Sequence, residues 1–78
     1  MQPRSNEDFS YNFNSAKWMA KTHGHNYWLG IDKQSNAYFT SCFKPQPESL
    51  AIDTAAVLVN KDGDFVDSVK AINTAPLT

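Results

Sequence analysis

The sequence predicts a small α+β domain, one short helix packed on a mainly antiparallel sheet of about four to five strands. Three observations predict it. Short apolar runs are separated by turn-forming clusters, Lys33-Gln34-Ser35-Asn36 and Asn60-Lys61-Asp62-Gly63-Asp64. One stretch of helix formers, Ala16 to Lys21, stands behind a serine able to cap it. A chain of 78 residues has room for a single hydrophobic core. The expected organisation is a flexible tail over 1–8, one compact domain over 9–72 and a frayed end over 73–78.

Along the domain, Phe9, Tyr11 and Phe13 alternate with Ser10, Asn12 and Asn14. That period of two predicts a half-buried strand with three rings on one face. Ser15 then opens a short helix in which Trp18 and Met19 face inward while Lys17 and Lys21 share the outer side. Gly24 ends it. Tyr27 to Asp32 and Ala37 to Phe43 read as two strands joined by a four-residue loop. Pro45-Gln46-Pro47 forces extended backbone and removes two N–H donors, so it breaks the sheet. Ser49 caps a helical turn within 48–54. Residues 55–60 and 64–70 form a second hairpin around Asp62-Gly63. That reading is preferred to a helix placing Phe65, Val66, Val69 and Ile72 on one face.

The rings are distributed unevenly. Nine of the ten aromatic residues lie between Phe9 and Phe43, and only Phe65 lies outside. The front of the chain is therefore expected to hold the core, the working surface, or both. Phe9, Tyr11, Phe13, Trp18 and one face of the first hairpin are assigned to the core.

Charge sets limits on partners. The net charge is −1, which is no footprint for duplex nucleic acid. Residues 1–45 carry Arg4, Lys17, Lys21, Lys33 and Lys44 against Glu7, Asp8 and Asp32. Residues 46–78 carry Lys61 and Lys70 against Glu48, Asp53, Asp62, Asp64 and Asp67. The single cysteine, Cys42, cannot form an intrachain disulfide. No run reaches the roughly 18 apolar residues of a membrane span, and no basic-then-apolar leader opens the chain. A cytoplasmic protein that does not engage membranes is expected.

The residues able to carry chemistry do not assemble into a catalytic pattern. His23-Gly24-His25 with Cys42 offers three ligands, but structural zinc needs four at characteristic spacing. A nucleophilic Cys42 requires a neighbouring base to form its thiolate, and a mid-strand cysteine is more simply a small core residue. Asn60-x-Asp62-x-Asp64 matches the opening of a calcium loop, but glycine falls at the fourth position and alanine at the twelfth. Turn chemistry explains these residues better. No enzyme activity, metal or cofactor is therefore expected.

What remains is binding. Both faces of the first hairpin carry rings, and a single helix covers one face only. The other is expected to bind a protein partner, or a second copy, through Trp28, Tyr38 and Tyr27, with Lys33 and Lys44 at the rim. The alternative is a single-stranded nucleic acid stacked on the same rings beside the same lysines.

Overall fold

The computed structural model describes residues 6–72. It has one helix and a four-stranded antiparallel sheet, as expected of a small α+β domain. Helix α1 spans Asn6–His23. Strands follow at β1 (Tyr27–Ile31), β2 (Tyr38–Ser41), β3 (Ala55–Val59) and β4 (Phe65–Lys70). In space they run β2-β1-β3-β4, so β2 and β4 are the sheet edges.

The expected strand at 9–13 is instead the first half of α1, which begins upstream of residue 9. Two of the three rings that alternate with period two also satisfy a helical period. Phe9 and Phe13 are four apart and continue through Ala16 and Ala20 as one stripe along the helix. Ala16 and Ala20 are fully buried, because small side chains let the helix backbone settle close to the sheet. Tertiary burial of that stripe outweighs the modest helix propensities of Ser10, Asn12 and Asn14. Ser15 consequently lies in mid-helix rather than at its start. The helix closes at Gly24, whose φ of +78° is left-handed and whose N–H reaches the Ala20 carbonyl at 3.0 Å.

The first hairpin forms as its turn chemistry predicts. Asp32 N–H donates to the Ala37 carbonyl at 2.9 Å and Asn36 N–H to the Asp32 carbonyl at 2.8 Å. Asn36 takes a φ of +56°, a conformation that Asn tolerates better than most residues. Strand β2 stops at Ser41, so Cys42 and Phe43 lie beyond it and are exposed. The prolines that follow lead into a 3₁₀ turn at Pro47–Ser49. Here Ser49 Oγ donates back to the Gln46 carbonyl rather than capping a later turn. Residues 49–51 then run beside the end of β1, with Lys33 N–H to Ser49 O at 2.8 Å and Ala51 N–H to Ile31 O at 2.9 Å.

The second hairpin is also a strand pair and not a helix. Asn60 organises its turn, its Oδ1 accepting N–H groups from Asp62 and Asp64 at 2.9 Å each. Gly63 supplies the left-handed residue at φ +85°. A bulge at Leu58/Val59 shifts the register between β3 and β4.

The sheet buries residues on both faces. Helix α1 lies across β1, β2 and β3. Between them Ala16 and Ala20 meet Tyr27, Leu29 and Val59, with Phe13, Met19, Tyr38 and Val57 around them. On the opposite face Trp28, Ala56 and Val69 join Leu50 and Ala71, with Phe39 and Leu58 packed alongside.

Candidate protein-contact surface

The alternation of β1 sends Tyr27 to the helix side and Trp28 to the other. Both are buried, at 9% and 5% exposure. Tyr38 is half-buried on the helix side, edge-on to Phe9 at 6.1 Å. The continuous ring surface expected on the first hairpin is therefore not there. Each face has its own cover, and the rings expected to meet a partner serve as core. Lys33 and Lys44 are exposed, but the rings expected beside them are not: the exposed ring next to Lys44 is Phe43, at 76%.

Two further exposed rings stand on α1. Tyr11 is 72% and Trp18 is 62% exposed. At 3.6 residues per turn, these two residues, seven apart, share one side of the helix. That side is roughly opposite the Phe9-Phe13-Ala16-Ala20 stripe. Between the rings lie the short side chains of Asn14 and Ser15. With Met19 they line a shallow concavity of about 390 Å³. The assignment of Tyr11 and Trp18 to the core is thus reversed, for one physical reason. A helix seated on its alanines turns its bulkiest residues outward. Lys17 is also less free than a solvated outer lysine, because its stem lies beside the Gly63 turn.

The signal for this surface was in the sequence. Once residues 6–23 are read as one helix, Ala16 and Ala20 mark the inner face, and Tyr11 and Trp18 fall on the outer one. Reading 9–13 as a strand broke that register.

The two histidines close over a core ring. The His23 ring nitrogen Nδ1 and the Tyr27 hydroxyl share a hydrogen bond. His25 stacks on Tyr27 with centroids 4.9 Å apart and planes 17° from parallel. Its Nδ1 donates to the Asn26 carbonyl at 3.2 Å. Among the described residues, no three of His, Cys, Asp and Glu are grouped to hold a metal ion.

Asp32 has a structural task. Its Oδ2 accepts the Ser35 N–H at 2.9 Å, the Ser35 hydroxyl at 3.2 Å and the Gln34 N–H at 3.0 Å. The Ser35 backbone bond, ahead of the others, holds its carboxyl below the usual aspartate value. Among the described residues no helix is long and apolar enough to cross a membrane. Comparison of the chain with protein-family models, curated proteins and solved structures finds no match.

Proposed function

We propose that this protein is a small, non-catalytic, cytoplasmic protein-binding module whose contact surface is the outer crest of α1. One observation carries the reading. Tyr11 and Trp18 stand exposed, two turns apart on the same side of one helix, with a concavity between them. Tyr and Trp dominate binding energies because they bury much area with few rotors. A helix crest presents them at a fixed spacing with little ordering left to do on binding. Exposed Lys21, three residues from Trp18, supplies a rim charge that steers association.

The test is affinity capture from source lysate with the wild type and a Tyr11→Ser/Trp18→Ser double variant, with and without nuclease. A protein retained by the wild type, indifferent to nuclease and lost with the variant is the expected result. Retention of the same protein by a folded double variant would overturn the reading. Loss under nuclease would favour the single-stranded nucleic-acid alternative, although two rings of its expected platform, Tyr27 and Trp28, are buried.

A further inference from the structure

We infer that His23 and His25 together bind a transition-metal cation, Cu(II) in preference to Zn(II), with water in the positions they leave open. The inference does not depend on the outer side of α1. Helix α1 ends at His23, Gly24 turns left-handed, and His25 is brought back over Tyr27. The two imidazole centroids lie 6.3 Å apart with planes 39° from parallel. With metal–nitrogen bonds of about 2.0–2.1 Å, two imidazoles on one ion hold their centroids about 4.5–6.4 Å apart, from cis to trans. The observed separation falls within that span, near the trans end that a tetragonal Cu(II) centre accepts.

Each ring already engages its Nδ1 within the protein. His25 Nδ1 donates to the Asn26 carbonyl, which leaves the Nε2 lone pair for a ligand. His23 Nδ1 shares its hydrogen bond with the Tyr27 hydroxyl, a group that accepts as well as donates. A metal at His23 Nε2 is therefore matched by an Nδ1–H directed to the phenol oxygen. Holding the second ring nitrogen on a fixed acceptor is how metal-ligating histidines are oriented. Tyr27 is buried, so it anchors both rings, while both imidazoles are exposed and open to an incoming ion.

The field around the pair is mixed. The last carbonyls of α1 place partial negative charge beside His23, which favours a cation. His25 also borders a concavity lined by Asn60 and Asp62 and by Lys21 and Lys61. The carboxylate attracts a divalent ion and the two ammonium groups oppose it, so affinity rests on the imidazoles. Among the described residues no third His, Cys, Asp or Glu is grouped with the pair to hold an ion. The ion is accordingly exchangeable and does not hold the fold.

The test is a titration of the full chain with CuCl2, followed in two-dimensional amide spectra. A Cys42→Ser background removes the exposed thiol. Paramagnetic broadening should begin at residues 22–27 and 60–62, with a Kd on the order of 10–100 µM. ZnCl2 should shift the same signals only at higher concentration. His23→Gln and His25→Gln should each weaken Cu(II) binding at these signals at least about tenfold, because the second ligand acts at high effective concentration. Amide dispersion in the same spectra reports whether each variant is folded. Broadening that begins elsewhere in the chain, or a folded His23→Gln or His25→Gln variant that binds as tightly as the parent, would overturn the inference.

Discussion

The ring of Phe39 lies over the backbone of Gly30, its partner across the β1–β2 pair. A β-carbon on Gly30 would meet Phe39 Cζ and Ala56 Cβ, each at 3.0 Å. Glycine weakens a strand through its unfolded-state freedom, so its presence in the most buried strand needs a reason. The reason is space: the Phe39 ring occupies the room a side chain would use, and it helps cover Trp28 and Ala56. Gly30→Ala is therefore expected to destabilise by about 1–3 kcal/mol, as overpacking does, despite alanine's better strand entropy. Urea unfolding checks it. A Gly30→Ala/Phe39→Leu double variant should recover part of the loss, because the two changes share one volume.

A comparison of two glycines isolates how the second hairpin meets the helix. Gly24 and Gly63 both have left-handed φ, +78° and +85°. A β-carbon at Gly24 meets nothing within 4 Å, whereas at Gly63 it meets Phe13 Cζ and Lys17 Cδ at 3.3 Å each. Alanine at either site bears the left-handed strain of about 1–2 kcal/mol. Gly63→Ala should lose more, because it also pushes the turn away from α1. Equal losses in thermal unfolding would show that the turn does not brace the helix.

These contacts explain which parts of the fold were legible in the sequence. The hairpins were readable because their turns are written in local chemistry. Asn36 tolerates left-handed backbone, and the Asn60 carboxamide holds its own loop through the N–H groups of Asp62 and Asp64. Helix α1 was half legible. Phe9 and Phe13 fit both periods, Tyr11 fits only the strand period, and only contact with a sheet remote in sequence decides between them. The candidate surface was hidden for the same reason. Which side of the helix holds Trp18 depends on where Ala16 and Ala20 dock. Trp28 was misplaced for a different reason. Leu50 and Ala71, far along the chain, help bury the face it occupies, and no pattern within residues 27–43 announces them.

Asp32 gives the first hairpin a pH dependence. Its carboxyl sits below the usual value, chiefly through the Ser35 N–H bond. A depressed folded value contributes stability that is present above the unfolded aspartate pKa of about 3.9. That contribution is lost as pH falls through the lower folded value. Asp32→Asn removes the charge but keeps an acceptor oxygen. The thermal midpoints of wild type and variant should therefore differ at neutral pH and converge below pH ~4. A gap that stays constant down to strongly acidic pH would exclude the proposed role.

Strand β4 is an open edge with a guarded donor. Ala71 N–H bonds Thr54 O at 3.0 Å, in the same register as Ala56 with Val69. By alternation, the backbone groups of Ser68 point away from β3. The Ser68 N–H is instead held by Asp67 Oδ1 at 2.8 Å. Phe65 and Val66 are exposed on this strand, a combination that invites edge pairing. Asp67→Ala is expected to change stability by no more than about 0.5 kcal/mol while lowering the concentration at which light scattering rises. Asp67→Asn, which retains the acceptor, should fall between the two.

The two tryptophans report separately on core and crest. Trp28 is 5% exposed beside Leu50, Ala56 and Val69, and Trp18 stands on the outer side of α1. With Trp18→Phe, the remaining emission should be blue-shifted and shielded from acrylamide. With Trp28→Phe, it should be red-shifted and readily quenched in dilute solution. The Trp28 change also carries a packing loss of about 1 kcal/mol or more, so quenching must be read well below the variant's melting temperature. A Trp18 already shielded at the lowest concentration would place it in the core and sink the crest reading.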